Sequence, residues 1–337
     1  MHRRRRTIRE TVEAGIWNLA ELQEALLTAI QLEFSTIPPY LCAQWSINND
    51  PSNVSGMIQS VVVQEMLHFG LGCNMYTATG GSLQGLIATP DFVPGYPTDG
   101  LPGGVHPGLV VSLLPAGSQA LMIFMSIEYP DVTPVVQQPA TPPPPTPPDP
   151  PTIGQFYQTI AAGFNTVFPD GSLPNNPSLN QVVTQVGPDP LFAINTVADA
   201  LTAIQEITEQ GEGTNTNPDE GTFDPGKLAH YYTFAEVYYG GMVAQVGNGY
   251  QYSGTSITMP TVYNFTAQPP NPPDPTTFIS TFTTLMTQLE QCWTSGFSID
   301  TAISTSMFAL KTAGATLIQA GAAPQFLFEA ASIPTHA

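Results

Sequence analysis

Along most of the chain, hydrophobic residues recur at the three-and-four spacing of a helix with one buried side. At several points an acid or a histidine holds a place in that stripe where an apolar residue belongs. From Thr11 to Ser46 the pattern predicts a helix in which Leu22, Leu26, Ala29, Ile30, Glu33 and Ile37 share a face. An ionised carboxylate in a core costs several kcal/mol unless it is paired or bound to a cation, so Glu33 needs a cause. Pro38 and Pro39 remove backbone donors just beyond it and predict a kink or a restart. Asp50-Pro51-Ser52-Asn53 reads as a turn, with Asn53 or Ser55 capping a second helix that carries Val61, Glu65, His68 and Gly72 on one stripe and stops at Gly80-Gly81. Glu65 and His68 then stand about one turn apart on one face, where two side chains can hold one ion.

From Ser82 to Pro115 the chain turns rich in Pro and Gly, which predicts an irregular excursion with a short strand at Leu109–Leu114; His106 is expected there as a surface residue. Ser118 is expected to cap a third helix in which Leu121, Phe124, Met125 and Glu128 share a face, closed by Pro130. The run over 132–151 is polyproline-like and reads as a semi-rigid surface connection. A helix follows from Thr152 to Phe164, then a longer one from about Pro190 to Gln210. Taking Ile194, Val197, Leu201, Ile204 and Thr208 as its buried side puts Glu209 near the edge of that side and Glu206 further out, toward solvent or a supporting position. Glu212 sits oddly between two glycines. Lys227 to Tyr239 predicts a helix with His230, Phe234 and Val237 inward and Glu236 pointing away. After a second Pro-rich break, Thr277–Trp293 and Ile299–Ala320 read as a packing hairpin that shields the rest or makes a homo-oligomer contact.

Composition narrows the partners. The 337 residues carry 26 acids against 7 Lys and Arg, five of them between Arg3 and Arg9, so nucleic acid is not an expected partner. No apolar run reaches the length of a membrane span and the Arg-rich start lacks the apolar core of a signal peptide, so the expected home is cytoplasmic with no membrane contact. Cys42, Cys73 and Cys292 make no disulfide framework and are expected as buried free thiols.

Collected together, the inward-facing acids and histidines are Glu33, Glu65, His68, Glu128, Glu209 and His230, with Glu206, Glu212 and Glu236 as substitutes for a member of that set. Four carboxylates and two imidazoles on helices are the ligand set of a carboxylate-bridged di-iron or di-manganese centre in a four-helix bundle. Hard carboxylates bridge and neutralise two divalent ions, and imidazole leaves open positions for O₂. Tyr40, Tyr76, Tyr231 and Tyr232 are expected as aromatic core, with cavity lining or electron transfer as the functional alternative.

The segments LTAIQLEFSTIPPYL, VVVQEMLHFGLGCNMYTATGG, SIEYP, TIGQFYQTI, ITEQGEGT and HYYTFAEVYY, running from about Leu19 to Tyr239, resemble the ferritin-like family of iminophenyl-pyruvate dimer synthase domains. That family is related to a domain of the bacterial violacein enzyme that couples two oxidised tryptophan imines. Thr36-Ile37-Pro38-Pro39-Tyr40 and Gln210-Gly211-Glu212-Gly213 are its most specific segments here. The resemblance implies an all-α, ferritin-like four-helix bundle over 14–265 with an irregular Pro/Gly-rich insertion, a basic tail at 1–13 and extra C-terminal helices at 276–330. It also implies metal-site roles for the six residues, two Fe ions (Mn in their place as an option), and an oxidative enzyme acting with O₂ on a small amino-acid-derived or natural-product substrate. The chain has no second Glu-x-x-His, so its second half-site must combine Glu209 with a histidine from another helix. Iron storage and a metal-free bundle of hydrogen-bonded carboxylates are the competing expectations.

Overall fold

The computed structural model describes residues 5–329 except Pro177 and Asn215. Its backbone is built on α1 (Ile8–Ala14), α2 (Leu19–Ser46), α3 (Val54–Ala78), α4 (Ser118–Ile127), α5 (Ile153–Val167), α6 (Val197–Glu212), α7 (His230–Tyr239) and α8 (Thr276–Thr294). The last helical stretch begins with α9 (Ile299–Thr301), passes through a π-helical turn at Ala302–Met307 and continues as α10 (Phe308–Gln319).

A short connection folds α3 back along α2, and side chains tie the antiparallel pair at both ends. Gln23 donates to Thr79 Oγ1 at 3.2 Å, and Gln44 donates to Gln59 Oε1 at 2.6 Å. Between them Gly72 lets the backbones approach: a Cβ there would stand 3.0 Å from Ile30 Cγ1. One side of this pair is covered by α4, α5, α6 and α7; α10 and the elements packed on it cover the other. Asn74 locks the arrangement from the middle of α3. Its amide donates to the carbonyls of Val182 and Phe192 at 2.8 Å, while its Oδ1 accepts from Val182 N at 2.9 Å and Trp293 Nε1 at 2.8 Å.

α2 runs to Ser46 through both prolines as one helix and does not restart there. Pro39 leaves the Ser35 carbonyl without its helical donor, and the Tyr96 hydroxyl donates to it at 2.5 Å. The cap of α3 also differs from expectation. Asn53 caps through no side-chain bond; the Asp50 carboxylate accepts from Val54 N at 2.7 Å and Ser55 N at 2.8 Å.

The expectation of an all-α chain is corrected: the protein is 47% helix and 12% strand. The strands are short, peripheral pairings. In the Pro/Gly-rich excursion Thr98–Leu101 pairs antiparallel with Val105–Val111, and Val136–Gln137 of the polyproline-like run joins Gly249–Gln251, itself paired with Ala244–Val246. That run is docked by tyrosines: Val135 N donates to the Tyr232 hydroxyl, Gln138 to that of Tyr231, and Tyr238 donates to the Pro143 carbonyl. Residues 1–4 of the expected basic tail and residue 330 of the expected C-terminal unit lie outside the described residues. The remainder of that tail makes specific contacts. Thr7 and Glu10 form a capping box at α1, Ile8 and Thr11 are buried, and Arg6 pairs with Glu21 at 2.8 Å. Among the described residues no helix is long and apolar enough to cross a membrane.

Candidate metal centre

Glu33 leaves the middle of α2, Glu65 and His68 leave α3, Glu128 stands at the C-terminal cap of α4, and His230 opens α7. All five side chains are buried, none more than 8% exposed. Glu33, Glu65 and His68 form one group of donor atoms within 4.8 Å of one another; Glu65, Glu128 and His230 form a second. Glu65 belongs to both.

Each carboxylate divides its two oxygens. Tyr157 donates to Glu33 Oε1, Tyr40 to Glu128 Oε1 at 2.5 Å, and Thr36 to Glu65 Oε2 at 2.8 Å. The second oxygens face the imidazoles. Glu33 Oε2 lies 3.5 Å from His68 Nδ1, Glu128 Oε2 3.5 Å from His230 Nδ1, and Glu65 Oε1 stands 4.0 Å from His68 Nδ1 and 2.9 Å from His230 Nδ1. Burial, reinforced by the adjacent carboxylates, holds the Tyr40 and Tyr157 hydroxyls well above the ordinary tyrosine range, so both remain donors.

Glutamines do for the imidazoles what the hydroxyls do for the acids. His68 Nε2 lies 2.8 Å from Gln210 Oε1, and His230 Nε2 lies 3.2 Å from Gln64 Oε1. An amide oxygen only accepts, so each Nε2 carries the hydrogen and, in the neutral ring, each Nδ1 lone pair points to the carboxylates. With the ring neutral, His230 Nδ1 has no hydrogen to share with Glu65 Oε1 at 2.9 Å and is left a buried, unpartnered lone pair. Gln64 is itself oriented by donating to Glu220 Oε2 at 2.9 Å, and Glu220 Oε1 faces Lys227 Nζ at 3.3 Å. The two rings are stacked with centroids 5.4 Å apart.

Such packing of acids is expensive without a cation. Burial and then the neighbouring Glu128 push Glu65 up to about 7 despite His230. Burial opposes a charge on His230, but Glu128 and Glu65 raise it to about 10. The cluster therefore holds protons where cations are absent. The donor set of hard carboxylate oxygens and neutral imidazole nitrogens fits divalent metal; Glu33, Glu65, Glu128 and His68 line a cavity of about 30 Å³ walled by Leu32, Ile127, Ile153 and Ile207. Two divalent ions would bring four positive charges against these three carboxylates.

A fourth carboxylate reaches the same cavity from the end of α6, and it is Glu212. Its Oε2 accepts from Asp131 N at 2.9 Å, and burial, with Asp131 beside it, pushes it up to about 8. Gly154 makes the space, since a Cβ there would fall 2.8 Å from Glu212 Oε1. Glu209, by contrast, is not brought to the cluster. It accepts from Gln205 Nε2 at 2.7 Å and Thr222 N at 2.8 Å on the outer side of α6. The helix starts only at Val197, and its buried stripe is Ala200, Ala203, Ile204, Glu206, Ile207, Gln210 and Gly211. Leu201 is half-exposed, so the face inferred from it is rotated, and of the two places expected for Glu206, solvent or a supporting position, it is not in solvent: it is buried. Glu236 points elsewhere, accepting from Val243 N at 2.6 Å. His106 is half-buried, its Nε2 3.3 Å from the Ile127 carbonyl. Of the four tyrosines singled out in the sequence, only Tyr40 bonds a member of the cluster. Tyr157, Thr36, Gln64 and Gln210 lie in the segments that carry the family resemblance, but their own spacing marks them only by helical distance from the acids.

Buried glutamates and histidines converging from several helices place the molecule among helical proteins with a site able to hold metal. The Ferritin-like family matches residues 26–239, and the chain belongs to it. Among solved structures, a ferritin-like protein from Caulobacter vibrioides is similar over 93% of this chain and 99% of its own, with a TM-score of 0.64 and 23% identity. That likeness speaks for the fold. No curated protein matches the chain.

Proposed function

We propose that this chain is a dinuclear non-haem metal enzyme of the oxidase or oxygenase type. In this reading it holds two iron ions, with manganese as the alternative, and acts with O₂ on a small amino-acid-derived substrate, as the iminophenyl-pyruvate dimer synthases it resembles do. One observation carries the reading: every carboxylate of the cluster commits one oxygen to a hydroxyl donor and turns the other to the imidazole nitrogens, with Glu65 shared between two donor groups. Glu33 and His68 would hold one ion, Glu128 and His230 the other, Glu65 both, and Glu212 stands ready as a further carboxylate. Two such ions supply redox chemistry toward O₂ when bound. The protein's part is positional. Tyr40, Tyr157 and Thr36 fix the carboxylates, Gln64 and Gln210 fix the imidazoles, and the aliphatic walls keep bulk water away. The cavity is too small for an organic substrate. Its half-buried lining residues, Ile153, Thr208 and Glu212, mark the side from which one would approach. A reducing, cytoplasmic setting suits the three free, buried cysteines.

Elemental analysis of the purified, iron-loaded protein tests this. Two ions per chain are expected, falling to one in Glu128→Ala and to nearly none in Glu65→Ala. A metal content that Glu65→Ala leaves intact sinks the proposal, and iron far beyond two per chain marks storage instead.

A further inference from the structure

On the other side of α2 and α3 lies a second cavity, of about 180 Å³ and almost entirely apolar. It is enclosed between those helices and the C-terminal segments. Phe34, Met66 and Phe69 wall it, each directly following a member of the metal cluster in sequence, so successive residues of one helix face opposite compartments. On α2 the lining runs from Phe34 to Trp45, eleven residues or about 16 Å along the helix. The cavity therefore extends along α2, and an extended alkyl chain would match that length.

The channel's polar groups gather at one end. Trp45 lines it and is 7% exposed, and its Nε1–H has no hydrogen-bond partner. A buried N–H left in that state costs free energy that an acceptor would recover. Lys311 lines the same channel, is exposed, and among the described residues makes no hydrogen bond or ion pair. It lies one helical turn before Gly314, whose missing side chain accommodates the Trp45 ring: a Cβ there would come within 2.3 Å of it. The helical turn that carries Lys311 therefore packs at the Trp45 end of the channel, against the Cζ3–Cε3 edge of the ring. Lys311 is one of two Lys or Arg residues beyond Arg9 in a chain of net charge −19, so this mouth is the place on the C-terminal helices where an anion is welcome. The π-helical turn contributes Ala302, Ile303 and Met307 to the wall, a distortion that helices tolerate where a site requires it.

We infer that this channel binds a medium-chain fatty acid, its alkyl chain laid along α2 and its carboxylate at the end that Trp45 and Lys311 line. Apolar pockets with a few convergent polar groups are the general form of a small-molecule site. The inference is independent of the metal centre.

Dodecanoate titrated into the full-length protein tests it by calorimetry and by tryptophan fluorescence, since Trp45 and Trp293 both line the channel. Saturable binding of one dodecanoate per chain is expected. Lys311→Met, at an exposed position, should weaken it about fivefold, as for an ion pair near the surface. Leu41→Trp, which fills the channel, should abolish it, and metal content should be unchanged in Lys311→Met. Absence of saturable binding overturns the inference. So does an affinity unaltered by both substitutions, or dodecanol binding as tightly as dodecanoate.

Discussion

Gln210→Leu separates a role in the metal centre from a role in the fold. Gln210 is fully buried, and its Oε1 takes the His68 Nε2 hydrogen at 2.8 Å while its own Nε2 has no partner. Leucine removes the acceptor and leaves one buried N–H unsatisfied on His68, a cost of about 1–3 kcal/mol. It also removes the orphaned amide N–H of Gln210, a gain of similar size. The two nearly cancel, so metal-free stability should change by less than about 1 kcal/mol, or roughly 2 °C in Tm. Metal binding has no such compensation. With the ring free to rotate or change tautomer, affinity at the Glu33–Glu65–His68 group should fall about 10- to 100-fold, equivalent to about 1.4–2.7 kcal/mol. Competition against a chelator of known affinity reads the second quantity, and calorimetry of the metal-free protein the first. Gln64→Leu is the contrasting case, because Gln64 also donates to the buried Glu220 and nothing offsets that loss. It should weaken metal binding comparably and lower metal-free stability by about 2–4 kcal/mol. If Gln210→Leu lowers Tm by many degrees while leaving metal affinity unchanged, the assignment of Gln210 as a guide for His68 is wrong.

Other substitutions probe other parts of the molecule. Asn74→Ala deletes four hydrogen bonds that join α3 to the Val182 and Phe192 backbone and to Trp293, and should cost at least about 3 kcal/mol by urea denaturation without altering metal stoichiometry. Tyr40→Phe and Tyr157→Phe each free one carboxylate oxygen and should lower metal affinity about tenfold; their double variant losing no more than either single one would show that the hydroxyls do not act on separate carboxylates. Glu206 is held at about 7 by burial, with His68 opposing the rise. Its folded value therefore exceeds the unfolded one, so it costs stability above pH 7, and that cost fades as pH falls toward 4.5. Metal-free Glu206→Gln should thus have a higher Tm than the parent at pH 8 and an equal one near pH 4.5; the same gain at both values would refute burial of its charge as the cause.

What the chain's pattern shows depends on how firmly each stripe is anchored. Glu33, Glu65 and His68 sit inside long helices with apolar neighbours on both sides, so spacing alone picks out their face. Glu128 and His230 are readable because three apolar positions precede the first and two follow the second on the same stripe. Of the strands, Val105–Val111 is in part anticipated by the apolar run at Leu109–Leu114, and the others are not readable. Thr98–Leu101 and Val136–Gln137 lie in Pro- and Gly-rich segments with no alternation, and they form because distant segments present paired backbone groups. The unbroken course of α2 through Pro38 and Pro39 is equally hidden, since it depends on Tyr96, a residue more than fifty positions later in the sequence.

The case of α6 shows how narrow the margin is. Starting the helix at Pro190 and counting Ile194 and Leu201 as core turns the inferred face toward Glu209. The true start at Val197, capped by Thr196 and Asp199, turns it toward Gln210 and Gly211. Residues 209 and 212 are three apart and would share a face on a continuing helix, yet Glu212 is the last residue of α6. Gly213, in the left-handed region at φ 77°, turns the chain away. That exit lets the Glu212 side chain fold inward to the Asp131 amide while Glu209 remains on the outside, held by the Thr222 amide. The glycines around Glu212 are therefore the readable trace of its role, because an acid flanked by residues without side chains is free to aim where the helix itself cannot.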